Sequence, residues 1–180
     1  MRESRVLPEL HASYSSSNSE IERFGREENQ RIMSDHIRVT AMLIVPSGDG
    51  LRHLVSRNVQ TTENPAGFHR LIGGGVEFGE THREAIIREV HEELGARILN
   101  LTHLGVVENI FHINGKPGHE IVALYSGELY PAIPDEGGTL TESDGLRLPV
   151  EWRPVDDADL DVPLYPDAAA PWIHKALSVR

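Results

Sequence analysis

The chain contains no cysteine. Disulfides, thiolate zinc centres and a cysteine nucleophile are therefore excluded. No run approaches the roughly 18 apolar residues of a membrane helix. No secretory pattern of basic start, apolar stretch and small-residue cleavage site is present. A cytoplasmic location and no membrane partner are the resulting expectations. Positive charge is scarce, with 17 Lys and Arg against 28 Asp and Glu, for a net charge of −11. Such a surface repels nucleic acid polymers, and no basic stripe interleaved with aromatics offsets it. Several phosphate and hydrolase motifs are missing as well. Gly73–Gly75 is not followed by G-K-[ST], no G-x-G-x-x-G opens a dinucleotide-binding helix, and neither G-x-S-x-G nor H-E-x-x-H occurs.

What is present fits one soluble domain. The 180 residues suffice for a sizeable core, and 39% apolar with 25% charged residues is ordinary globular composition. Residues 1–34 differ from the rest. They are polar, with Ser13–Glu20 reading SYSSSNSE, and form an expected flexible leader ahead of a domain at 35–180. Ser19 and Glu22 could cap a short helix through Ile32, and Met33 is an alternative start. Strands are expected at Ile37–Val45, Leu51–Asn58, Asn100–Ile113 and Glu120–Tyr130, with a short one from Trp152 to Pro154. Gln60–His69 and Pro131–Leu148 read as loops, and Asn114–Gly118 as a turn. Asp167–Ser178 reads as a closing helix that packs Trp172, Ile173 and Leu177.

The most informative stretch is Gly73–Ala96, GGGVEFGETHREAIIREVHEELGA. Ile86, Ile87, Val90 and Leu94 stand at helical spacing and predict an amphipathic helix with one buried stripe. Thr81 and Glu84 suit a capping box at its start, and Gly95 suits a left-handed residue at its end. On that helix Glu89, Glu92 and Glu93 are i, i+3 and i+4, so their carboxylates lie close and repel. Hard oxygen ligands on one face suit Mg²⁺ or Mn²⁺. An E-x-x-E-E run alone is more often a solvated helix face. The longer frame is different, because seven fixed residues coincide by chance on the order of once in 10⁸–10⁹ start positions.

That frame resembles the Nudix box, G-x5-E-x7-R-E-U-x-E-E-x-G-U, where U is a bulky aliphatic. Gly74, Glu80, Arg88, Glu89, Glu92, Glu93 and Gly95 match the fixed positions, and Val90 matches the first U. Ala96 is a small residue at the last U, a packing position. The usual Leu-Pro-Gly-Gly before the box is Leu71-Ile72-Gly73-Gly74 here, without the proline. The resemblance spans about 37–177 and implies an α/β fold, a Nudix-type α/β/α sandwich with a mixed sheet. It also implies metal-dependent hydrolysis of the diphosphate linkage in a nucleoside diphosphate joined to another group, X.

By the same resemblance, Glu89, Glu92 and Glu93 would bind Mg²⁺ or Mn²⁺, with the Gly73 carbonyl as a further ligand. Arg88 would pair with a neighbouring carboxylate and aim it. Glu80 would tie the loop to the helix. Glu77 is open to either task. The general base is a box glutamate, Glu142, Asp144 or Glu120. Arg57 stands where relatives contact phosphate; a plain surface arginine is an equal reading. Glu77, Glu120 and Glu142 complete the substrate-side candidates. His112 and His119 read as structural. The competing reading is a catalytically inactive Nudix-fold nucleotide sensor or interaction domain; the intact box glutamates favour the enzyme. Nucleoside triphosphates, nucleotide sugars and ADP-ribose all remain open as substrates. Homodimers are common among such proteins, but nothing in these residues reads for or against one.

Overall fold

The computed structural model describes residues 36–156 and 161–178. The leader, its short helix and Met33 lie outside the described residues. Nine strands and two α-helices follow one another along the described chain. They are β1 (Arg38–Ile44), β2 (Arg52–Asn58), β3 (Phe68–Arg70), β4 (Ile72–Gly75), α1 (His82–Leu94), β5 (Arg97–Ile113), β6 (Lys116–Tyr130), β7 (Gly138–Thr141), β8 (Arg147–Pro154), β9 (Leu164–Tyr165) and α2 (Ala170–Ser178), the last preceded by a 3₁₀ turn at Asp167–Ala169.

The strands form two mixed sheets. The first has order β4-β1-β6-β5, with β1 and β6 parallel and the other pairs antiparallel. The second has order β7-β8-β2-β3-β9, parallel only at β3–β9. Strand alternation sorts the core into two layers. Ala41 and Leu43 of β1 pack with Ala85, Ile86 and Val90 of α1, in a cluster that also takes Leu54, Leu140, Leu148 and Val150 from the second sheet. Met42 and Ile44 of the same strand pack the other way, against Ile173 and Ala176 of α2. The expected α/β/α sandwich is thereby realised, with two mixed sheets in place of one.

Local chemistry sets the key helix. Thr81 accepts from the Glu84 backbone while the Glu84 carboxylate takes the Thr81 backbone, so the capping box is complete. Gly95 ends α1 at φ 63. The buried stripe is Ala85, Ile86, Val90 and Glu93, however, and Ile87 is exposed. At about 100° per residue Ala85, Ile86, Val90 and Glu93 fall within one arc of about 140°, and Ile87 lies about 60° beyond its edge. Ala96 is buried in the first core cluster.

The other departures concern strands. Asn114-Gly115 alone makes the β5–β6 turn, both residues having positive φ, so β6 begins at Lys116. The stretch 131–148 is not one loop. β7 lies within it and pairs with β8, which starts at Arg147 well ahead of Trp152. The loop after β2 ends earlier than expected, because Phe68–Arg70 pairs with β2.

Gly73 carries a strict demand. Its φ is 128, and a Cβ there would overlap the Ala41 carbonyl and come within 2.8 Å of Ile86 Cδ1. Gly73→Ala should lower unfolding free energy by at least about 3 kcal/mol, combining backbone strain with a core clash. Urea denaturation read by circular dichroism checks this; an unchanged midpoint would show that β4 yields at no cost.

Candidate active site

The box glycines and α1 build the first half of the site together. Gly74 faces Ala41 across the β1–β4 pair, and a Cβ on it would lie 2.5 Å from the Glu89 carboxylate. The missing side chain is what lets that carboxylate rest against the strand. Arg88 binds the loop to the helix. Its Nε and Nη2 donate to the two Glu80 oxygens at 2.9 and 3.0 Å, a bidentate pair. Nη1 donates to Glu89 at 3.0 Å and Glu92 at 3.2 Å, and Nη2 also to the Gly75 carbonyl at 2.9 Å. These contacts raise the Arg88 pKa, the Glu80 bond most of all. Glu80 in turn accepts from the Glu77 backbone N–H at 3.0 Å.

Glu93 points inward and is 8% exposed. Burial pushes its pKa up to about 8, helped by the charges of Glu142 and Glu89. Glu142, just past β7, is half-buried. Its pKa is also raised, by burial first and then by Asp144 and Glu89, against the pull of Arg70. Helix α1 and the β7–β8 connection thus bring Glu89, Glu93 and Glu142 into one acidic cluster. Hard oxygen donors that repel one another, Glu93 buried and the other two half-buried, are chemically suited to a divalent cation. Among the described residues no group of three such side chains stands at metal-holding spacing. Glu92 has a side chain 55% exposed and engaged with Arg88. Gly73 lies in β4 opposite Met42.

A pocket opens beside this cluster. Its lining includes Arg38, Arg70, Asn109, Glu120 and Glu142, with Phe68, Phe111 and Tyr165 as aromatic walls. Glu120 is 4% exposed and accepts from Asn109 Nδ2 at 3.1 Å. Arg38 and Arg70 approach it at 3.7 and 3.9 Å. Asp144 instead shapes its own turn, accepting from the Leu146 backbone N–H at 2.8 Å.

Two sequence candidates stand elsewhere. Arg57 does not line the pocket, whereas its neighbour Asn58 does, as alternation along β2 requires. Arg57 donates to the Ala66 carbonyl at 2.8 Å and lies 3.9 Å from Glu151, which pairs with buried His69. Glu77 lines a separate open groove along the outer side of α1 with Phe78, Glu84 and His91. His119 pairs with Glu108 at 2.7 Å, a surface contact in keeping with a structural role, and His112 lies in the pocket lining. Sequence reasoning missed Arg38, Arg70 and Asn109. The one available signal was Arg38 at the start of the apolar strand β1; Arg70 follows a stretch that reads as a loop and gave none.

Comparison with known proteins agrees with this architecture. A family model described as NUDIX domain matches residues 36–175. A curated relative, the uncharacterised Nudix hydrolase orf19 of Rhodococcus erythropolis, is 46% identical over 57 residues, a match that spans 31% of each protein. A crystal structure of a MutT NUDIX hydrolase from Burkholderia pseudomallei superposes with a TM-score of 0.56 at 25% identity, covering 79% of this chain and 98% of that one. A MutT protein from Methanosarcina mazei Go1 superposes at 0.51 with 17% identity, over 81% and 96% of the two chains, a likeness of fold alone. Among the described residues no helix is long and apolar enough to cross a membrane.

Proposed function

The chain belongs to the Nudix hydrolase family, and from that premise we propose that it is a Mg²⁺- or Mn²⁺-dependent pyrophosphohydrolase acting on a nucleoside diphosphate linked to X. The observation that carries this reading is the meeting of Glu89, Glu93 and Glu142 beside an aromatic-walled pocket that also holds arginines. A carboxylate cluster of this kind is unfavourable by itself, with Glu93 held toward its protonated form. A cation bound there would neutralise phosphate oxygens and acidify the attacking water. Glu89 and Glu93 are the proposed ligands, with Glu92 joining on release from Arg88 and the Gly73 carbonyl completing the set.

The chain's own residues divide the remaining tasks. Arg88 clamps Glu80 and Glu89, which fixes the Glu89 carboxylate against Gly74. Glu142 is the member of the cluster that comes from outside the helix, so it is the proposed acceptor of the water proton. Glu120 is occupied by Asn109 and the two arginines and serves the substrate side. Phe68, Phe111 and Tyr165 offer faces on which a nucleobase can stack.

The test is product release from a panel of nucleoside triphosphates, oxidised triphosphates, nucleotide sugars, dinucleoside polyphosphates and ADP-ribose, with Mg²⁺ or Mn²⁺ and an EDTA control. Turnover of at least one class that EDTA abolishes is expected. Binding of nucleotides without turnover of any would favour a sensor instead.

A further inference from the structure

The pocket is narrower than the substrate proposed for it. Its cavity measures about 150 Å³, whereas ligand pockets run to roughly 300–1,000 Å³. A wall must move outward before a nucleotide fits. Much of the wall resists this. Glu120 and Asn109 are buried and bonded to each other, and Leu148 belongs to the first core cluster. The outer rim is built differently. Thr61 and Asn64 line it from the β2–β3 connection, and Ile113 and Asn114 from the tip of the β5–β6 hairpin. These segments belong to different sheets.

Polar contacts at the surface join the two rims. Glu63 accepts from the backbone N–H groups of Asn114 and Gly115, each at 2.7 Å and one on each oxygen. Asn114 Oδ1 accepts from the Thr62 backbone N–H at 3.0 Å and from the Thr62 hydroxyl at 3.3 Å. The Gly115 bond holds the Glu63 carboxyl below its ordinary pKa, so the clasp is charged and made at neutral pH. Thr62, Glu63, Asn114 and Gly115 are all exposed. Water can therefore replace these bonds at small net cost, unlike those of Glu120 and Asn109. The loop also holds itself together. The Asn64 N–H donates to Thr61 Oγ1 at 3.0 Å and the Thr61 N–H to the Asn64 carbonyl at 3.1 Å, so it can swing as a unit.

We infer that the Glu63 carboxylate is a latch on the pocket: closed, it holds the rims too near for a nucleotide, and substrate binds the form in which it has let go. This rests on the reading of the pocket as the nucleotide site. It adds a residue outside the box that sets substrate affinity by restraining access. Apparent affinity is reduced by the fraction of molecules in the open form, so a weaker latch gives tighter binding.

Steady-state kinetics on the nucleotide panel, with Mg²⁺ or Mn²⁺, test it. Glu63→Ala should lower KM roughly three- to tenfold without reducing kcat. Damage to the pocket would raise KM instead, so the direction of the change separates a latch from a structural prop. A second variant tests the closed form. The chain has no cysteine, so Thr62→Cys/Asn114→Cys introduces its only thiols, at side chains whose oxygens stand 3.3 Å apart. With the disulfide formed and verified by mass, turnover at low substrate should fall at least about tenfold below that of the same protein reduced, and return on reduction. An unchanged or raised KM in Glu63→Ala overturns the latch, as does a bridged protein as active as its reduced form. A wild type that hydrolyses substrate while these variants fail the expectation loses the latch alone. One that hydrolyses no member of the panel loses the functional reading and the latch with it.

Discussion

Glu93→Gln should abolish hydrolysis, by at least about a thousandfold, while making the metal-free protein more stable at pH 8. The two effects have one origin. Glu93 is buried beside Glu89 and Glu142, and its pKa in the folded state is pushed up to about 8. In the unfolded chain it is an ordinary glutamate near 4.5. Between those values the folded state holds a proton that the unfolded state has released. The stability tied to that proton is fully present below pH 4.5 and is lost as pH rises through about 8. Glutamine is a permanent stand-in for the protonated form, and its amide can still donate toward Glu89. The variant should therefore gain on the order of 2–4 kcal/mol over the wild type at pH 8 in EDTA, with little difference at pH 4.5. Urea denaturation at both pH values checks the first half and the substrate panel the second. Equal stability at pH 8 would mean that Glu93 is ionised at no cost. Wild-type turnover would remove it from the proposed ligands.

Arg88→Ala should cost about 2–3 kcal/mol of stability and at least a hundredfold in turnover. The guanidinium makes contact with Glu80, Glu89, Glu92 and the Gly75 carbonyl. Removing it strands three carboxylates and one carbonyl. Its side chain is 24% exposed, so water partly compensates and the loss falls below that of a fully buried pair. Arg88→Lys keeps the charge but not the fork, and should lie between. Thermal melts and kcat for the three proteins decide the matter. An Arg88→Ala protein that melts with the wild type would show that the helix carboxylates need no partner.

The box was legible because everything that sets it is local. Thr81, Glu84 and Gly95 mark both ends of α1 within a few residues of sequence, and the structure places them as caps. The Asn-Gly pair at 114–115 marks its hairpin for the same reason. What escaped depends on distant pairing. β7, Gly138–Thr141, is only four residues long and exists because β8 pairs with it. Arg70 reaches the site only because β3 pairs with β2 and turns one alternate face to the pocket, the same rule that sends Arg57 away. Arg38 lies inside the strand expected at Ile37–Val45, and it meets Glu120 only because β1 pairs with β6. The acidic cluster was half visible. Glu89 and Glu93 announce themselves by spacing, whereas Glu142 joins them only through the fold.

We propose that the helix carboxylates hold a divalent cation. Mn²⁺ binding followed by electron paramagnetic resonance measures this directly, in the wild type and in a Glu89→Gln/Glu93→Gln variant. The wild type should bind Mn²⁺, and the variant should bind at least about tenfold more weakly while remaining folded. Equal affinity in the two proteins would contradict the claim and place the metal elsewhere.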